Sequence, residues 1–397
     1  MSSEVLSLRA LNRALLSRQL LLDRPSLPSD PDHRRARVIQ TIEHLVGLQA
    51  QAPFPPYYGL WSRLDGFRPD DLASLLTERS AVRIALMRGT IHLVSAADCL
   101  PLRRLLQPVL DRGLRGTFGR QLAGVDPGAL AAAGRRLVES APMTFSQLGE
   151  ALAEYWPDHP PAALAQGVRA LVPLVQVPPR AVWGRAGQAL HTSAEQWLGQ
   201  PVETVRQPSR SPGLAELSDL VTRYLAAFGP ATARDVAAWS GLAGLRPVME
   251  QLRPFLVTFT DEQGAELFDL PSAPRPAGDV PARVRLVAEF DNLVLAHADR
   301  SRVVSAENLK RFYTINGIFP GSVLIDGFVA GLWRLARERR VKGEAEGEVG
   351  ARRGTATVTI ELFGPVADRD LLVEEARRML AFCAPDASHD VRFAPIA

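Results

Sequence analysis

Between residues 38 and 49 the apolar positions fall at helical spacing. Val38, Ile42, Leu45 and Val46 form one stripe, and Gln49, four residues after Leu45, lies on the same stripe. A primary amide at a core-facing phase needs a hydrogen-bonding partner or a substrate. Pro53 disfavours the α region at Ala52, so the pattern predicts a helix running through Leu48 and ending in Gln49-Ala50-Gln51-Ala52-Pro53, with the Gln49 and Gln51 side chains emerging together at its exit. A plain structural reading has both amides capping that end. Next come a helix from about Pro69 to Glu78 and strands around Val82 to Leu86 and Thr90 to Val94.

The clearest supersecondary pattern lies downstream. Leu217, Leu220, Val221, Tyr224, Leu225 and Phe228 share one helical face, stopped by Gly229-Pro230, and Thr232 caps a short helix through Trp239. After the turn Ser240-Gly241, a further helix spans Leu245 to Leu252 with Pro247 in its first turn. Leu256 to Phe259 and Glu266 to Asp269 then read as two strands around the polar tip Asp261-Glu262-Gln263-Gly264. Helix, helix, helix, hairpin is the order of a winged helix. A second copy is expected from about Leu130 to Leu198. There Thr144 and Gln147 form a capping box, Pro160-Pro161 breaks before a helix, Leu174 to Val177 begins the wing, and Trp183-Gly184-Arg185 occupies its tip.

The last third, after a Pro-rich connector from Pro271 to Pro281, changes to strands at Val284 to Val287, Leu293 to Ala296 and Thr355 to Leu362. A hairpin of type I′ is expected at Asp326-Gly327, and a helix from about Ala367 to Phe382 closes the chain. Arg337 to Arg353, dense in both signs of charge, reads as a solvated loop or hairpin tip. The expected fold class is α+β, with three tandem winged-helix (helix-turn-helix) units at residues 1–125, 126–205 and 212–275 and a β-rich unit at 281–397. The first unit is the least regular and leans on the resemblance given below.

Composition adds limits. With 397 residues and a hydrophobic share of 46%, the chain has the make-up of a globular protein of several packed units. No apolar run reaches membrane-spanning length, and Met1-Ser2-Ser3-Glu4-Val5 lacks a secretory pattern, so no membrane is expected and a bacterial cytoplasm, with association to the nucleoid, is the expected location. Cys99 and Cys383 give no metal-ligand spacing and read as two buried small side chains. The formal net charge is +3, and the positive charge is nearly all arginine, Lys310 and Lys342 being the lysines. Arginine's planar fork suits phosphate, although a GC-rich genome enriches it too. With so little net charge, nucleic-acid binding requires arginines to cluster on one face.

Familiar catalytic constellations are missing. There is no Gly-x-Ser-x-Gly elbow, no Gly-rich phosphate loop with Lys, and no His-x-x-x-His or Cys-x-x-Cys spacing. Neither metal nor cofactor is expected.

Three stretches carry a family resemblance. Leu48-Gln49-Ala50-Gln51-Ala52-Pro53, followed by Pro56-Tyr57-Tyr58-Gly59-Leu60-Trp61-Ser62-Arg63-Leu64, resembles the catalytic region of the AlkZ-like winged-helix DNA glycosylases, the azinomycin-resistance family that unhooks interstrand crosslinks. Met87 to Asp98 is similar to the strand that follows there, and Glu289 to Leu295 with Pro320 to Gly327 extend the likeness over nearly the whole chain. Part of the family has Asp in place of the second Gln, and this chain, with Gln51, resembles the crosslink-unhooking branch.

The resemblance implies a C-shaped concave surface that wraps duplex DNA without reading sequence, catalysis by Gln49 and Gln51, and excision of alkylated or crosslinked purines by a monomer. Arg88, His92, Arg185, Arg246 and Asp291 are the candidate DNA-contacting residues. N7 alkylation makes a purine cationic and a good leaving group, so neutral amides could suffice to place water and support an oxocarbenium-like sugar. Gln51 is expected to hold the water, with Gln49 orienting it or the sugar. With only Lys310 and Lys342 available, a lysine-based lyase step is disfavoured and a monofunctional enzyme is expected. Two other readings are a noncatalytic winged-helix regulator and a small-molecule enzyme using Glu289 and Asp291 in the β-rich unit.

Overall fold

The computed structural model describes residues 4–200, 213–312, 320–338 and 354–395. Polar caps start several of the helices. Asp30 accepts from His33 N at the head of Pro31–His44, Thr144 and Gln147 form the reciprocal capping box of Phe145–Ala153, and Thr232 with Asp235 does the same for Ala233–Ser240.

The helix Pro31–His44 does bury Val38 and Ile42, but it ends earlier than the pattern predicts. Val46 and Gly47 take φ of 52° and 87°, and Gly47 donates its N–H back to Ile42 O at 2.8 Å. Two successive left-handed residues stop the helix. The stop is therefore Val46-Gly47 and not Pro53. Leu48–Gln49 is a short strand paired antiparallel with Ile91–Ser95, so Gln49 faces His92 across a ladder instead of sitting on a helical stripe. Only glycine fits at 47: a Cβ there would lie 2.7 Å from Val94 Cγ1 and 2.9 Å from Leu93 O.

Among the described residues, three sheets organise the fold. One runs Leu48–Gln49, Ile91–Ser95, Ala81–Ala85, Leu174–Gln176, His191–Ser193, so strands expected on either side of residue 125 share a single sheet. A second runs Ser388–Phe393, Thr355–Leu362, Phe328–Arg337, Gly321–Ile325, Arg285–Val287. Its hairpin turns at Asp326 and Gly327, with φ of 46° and 83°, as a type I′ turn requires. The third pairs Val5–Leu6 parallel to Val257–Asp261, which in turn pairs with Glu266–Asp269. That hairpin follows the helices Leu214–Phe228, Ala233–Ser240 and Arg246–Leu252 in the expected order.

Leu293 to Ala296, expected as a strand, lies instead in the helix Asn292–Leu295, capped by Asp291. Its four residues are all buried, and a short apolar run buried on every side has no period to tell strand from helix. Of the charged stretch Arg337 to Arg353, residues 339–353 lie outside the described residues; Arg337 ends its strand. The helix expected to close the chain is Asp370–Cys383, and the strand Ser388–Phe393 follows it. Cys99 and Cys383 are both free and buried.

The N-terminal helix Leu8–Arg18 locks the rest together through polar side chains. Asn12 Nδ2 donates to Arg302 O at 2.7 Å and Gly327 O at 2.8 Å. Arg18 donates through both terminal nitrogens to Asp269 at 2.6 and 2.8 Å, in an ion pair with no exposed side chain. One large core accordingly contains residues from this helix, from the first sheet, from Leu214–Phe228 and from the C-terminal strands, while Leu130, Leu148, Leu164 and Val168 belong to a smaller separate cluster.

Candidate active site

The strand that begins at Leu48 delivers both glutamines to one place. Ala50 N continues the ladder to Ile91 O at 2.7 Å, and Ala50 O is held from the other side by Arg83 Nη2 at 2.6 Å, which also reaches Ala52 O at 3.4 Å. The backbone between the glutamines is thereby pinned on both edges. Arg83 is itself buried, with Nε and Nη1 unpartnered among the described residues. Desolvation first, and the neighbouring Arg180 second, lower its pKa to about 10, so it stays charged.

Gln49 is 8% exposed. Its Oε1 accepts from Arg88 Nη2 at 2.7 Å, while Arg88 Nη1 donates to Trp239 O at 2.5 Å. Arginine only donates, so the atom facing it must be the amide oxygen, and Nε2 points elsewhere. Gln51 is exposed, and its Oε1 accepts from Ile91 N at 3.2 Å. A backbone N–H also only donates, which fixes this amide the same way. Both glutamines thus have their oxygens anchored by protein donors. Neither Nε2 has a protein partner among the described residues. Arg88 achieves its fork from a left-handed backbone, φ 55°, in the turn Met87–Gly89. Burial, and then Arg300, lower its pKa to about 10.

A narrow cleft opens beside Gln49, lined also by Gln19, Arg63, Glu289, Asp291 and Asn292. Asp291 is fully engaged. It accepts from Arg63 Nη1 and Nη2 at 2.8 and 2.7 Å and from Leu293 N at 2.9 Å. Arg63 Nη2 also meets Gln19 Oε1 at 3.0 Å, and Gln19 Nε2 donates to Ala227 O at 2.7 Å. Asn292 Nδ2 donates to Gly47 O at 3.0 Å, which ties this loop to the residue before the Gln49 strand. Gly59 lets the helix Pro55–Arg63 come close: a Cβ there would meet Leu48 Cδ2 at 2.8 Å.

Of the residues expected to contact DNA, Arg185 and Arg246 are exposed, the first between Leu174–Gln176 and His191–Ser193 and the second at the start of Arg246–Leu252. Arg88 is directed at Gln49. His92 has no exposed surface; Nδ1 donates to Thr90 O at 3.1 Å, and burial first, then Arg88, lower its pKa to about 3. His92 and Asp291 take buried positions with internal hydrogen bonds. Sequence reasoning missed Gln19, Arg63, Arg83 and Asn292, whose spacing carries no signal because each acts across a long sequence separation. It also missed Arg112 and Arg115, exposed on the helix Gln107–Phe118 beside Gly113 and Gly116, where a Cβ would meet nothing within 4 Å. Arg112 Nη2 donates to Gly241 O, and Gly241 lies against Arg88, so this face adjoins the Gln49 site.

Comparison with curated protein sequences gives no match. The structure is similar to that of Streptomyces sahachiroi DNA glycosylase AlkZ, with a TM-score of 0.71 at 17% identity, over 98% of this chain and 100% of that one. At that identity the likeness speaks for the fold. The family of AlkZ-like DNA glycosylases matches residues 42–382, a span that holds the glutamine strand, Arg88, the Glu289–Asn292 loop and most of every sheet, and the chain belongs to that family.

Proposed function

We propose that this protein is a monofunctional DNA glycosylase that hydrolyses the N-glycosidic bond of N7-alkylated purines in duplex DNA and unhooks interstrand crosslinks built on such bases. The observation that carries the proposal is the glutamine pair itself: two neutral amides on a strand braced by Arg83 and the Ile91 backbone, their oxygens anchored and their N–H groups without a protein partner among the described residues, with Gln49 lining a cleft and Gln51 exposed. An N7-alkylated purine already bears the charge that makes it leave, so the site needs no acid for the base. It must place water and sugar, and fixed N–H donors on braced backbone do that without reorganisation. Gln51, the exposed member, meets the nucleotide, and Gln49 orients the sugar or water from deeper in the cleft.

In this reading residues 1–125, 126–205 and 212–275 act as three winged helices that together offer a concave face to a duplex, and the protein works as a cytoplasmic monomer at the nucleoid. Exposed Arg112, Arg115, Arg185 and Arg246 supply phosphate contacts, and the bare backbone at Gly113 and Gly116 allows close approach. Among the described residues no helix is long and apolar enough to cross a membrane. An open site, with Gln51 at the surface, suits a lesion too bulky or too tethered to be swung into a pocket.

The test is release of free base, and appearance of alkali-labile sites, when purified protein meets duplexes carrying one N7-methylguanine, a bulkier N7 adduct or an N7-linked crosslink. Base release in any sequence context supports the proposal. Tight binding to one preferred sequence with every lesion left intact would instead indicate a regulator.

A further inference from the structure

The anchoring of both glutamine oxygens leaves a chemical gap. Water attacking the sugar C1′ must lose a proton, and an amide is too weak a base to take it at neutral pH. The geometry points to Glu289 as the group that takes it, an assignment that rests on the glycosylase reading above. Glu289 lines the same cleft as Gln49. It follows the buried strand Arg285–Val287 and Ala288, and it precedes Phe290, a non-glycine residue held at φ 57°. A strained backbone of this kind persists only where its surroundings fix it, as they do here through Asp291 on Arg63 and Asn292 on Gly47.

The two carboxylates of the cleft differ in kind. Asp291 spends its oxygens on Arg63 and Leu293 N, whereas Glu289 has no hydrogen bond or ion pair among the described residues. Desolvation alone acts on Glu289 and raises its pKa, which moves a carboxylate toward the range where it is both ionised at neutral pH and a better base. Glu289 is exposed at this cleft, so its carboxylate is reachable from solvent and is held by no internal hydrogen bond among the described residues.

In the step we assign, the water oxygen bonds to C1′ as the C1′–N9 bond breaks. The bonding pair moves onto N9 and cancels the positive charge of the N7-alkylated ring. One water proton passes to a Glu289 carboxylate oxygen and then to solvent, leaving neutral alkylpurine and a hemiacetal at the abasic sugar. Gln49 and Gln51 donate to sugar or phosphodiester oxygens and hold the approach.

The experiment is single-turnover base release from an N7-methylguanine duplex, measured across pH for the full chain and for Glu289→Gln, Glu289→Asp and Glu289→Ala, with duplex affinity measured in parallel. Since Glu289 has no hydrogen bond or ion pair among the described residues, these variants should fold, and unfolding in urea checks that they do. Expected for Glu289→Gln is a rate lower by roughly 100-fold or more with unchanged affinity. Wild type should show an acid limb with its midpoint above about 4.3, the ordinary glutamate value; that limb should vanish in Glu289→Gln and return in Glu289→Asp. An active wild type with Glu289→Gln within about twofold of it, on the same acid limb, overturns this assignment and leaves the glycosylase reading intact. A wild type that releases no base from any N7-alkylated duplex overturns both.

Discussion

At the scale of single residues, the site depends on which atom of each amide faces outward. Arg88 decides this for Gln49, since a guanidinium can only be met by the amide oxygen. Arg88→Lys keeps the charge but cannot span Gln49 Oε1 and Trp239 O with one ammonium. Single-turnover base release should fall roughly 100-fold, the size of effect expected when a reacting geometry slips by about an ångström, while duplex affinity changes little. A rate within a factor of two of wild type would show that the fork is dispensable. The Arg63–Asp291 pair makes a different claim. Both side chains are almost wholly buried, so Asp291→Ala strands a buried cation and should cost about 3–5 kcal/mol in urea unfolding. A loss below about 1 kcal/mol would mean that the pair is not the brace described here.

At the scale of elements, Gly47 is the joint between the helix Pro31–His44 and the strand Leu48–Gln49. Gly47→Ala would press a methyl into Val94 and the Leu93 carbonyl at positive φ, and should cost about 1–3 kcal/mol of stability together with most of the activity. Unchanged unfolding and unchanged base release would refute that role. The same joint shows how far the chain could be read in advance. The glutamine pair was singled out by a helical stripe that the structure does not keep, since Gln49 lies on a strand, whereas the capping boxes at Thr144 and Thr232 were legible because caps act within three residues. The helix end was misplaced because Pro53 is the louder local signal, while the need for glycine at 47 comes from Val94 and Leu93 in a strand far along the chain. The Leu293 run was misread because burial on all sides erases periodicity. Arg63, Arg83 and Asn292 gave no sign, since their partners are distant in sequence.

At the scale of the whole molecule, two collective properties follow. His92 and His191 are buried, and desolvation holds their pKa values at about 3 and about 4, whereas the unfolded chain binds a proton at each below about 6.5. Their contribution is therefore fully present above about pH 6.5 and is lost as pH falls toward those folded values, by about 1.4 kcal/mol per pH unit for each group. Urea midpoints measured at pH 7.5 and 5.5 should drop on acidification, and His191→Gln should lessen the drop; a flat profile would contradict the burial of neutral imidazoles. The arginine face near Gln49 predicts salt-sensitive duplex binding with little preference for sequence. Replacing Arg112 or Arg115 by Ala should reduce the slope of log K against log salt by about 1 each, measured by titration of a labelled duplex. An unchanged slope would place the DNA elsewhere.

The most direct test of the account compares single-turnover base release from an N7-methylguanine duplex by wild type, Gln49→Ala and Gln51→Ala, with duplex affinity measured alongside. Wild type should release the base, and each substitution should remove most of that rate while affinity is retained. Wild-type rates in both variants would contradict it, because the two braced amides would then have no part in the chemistry.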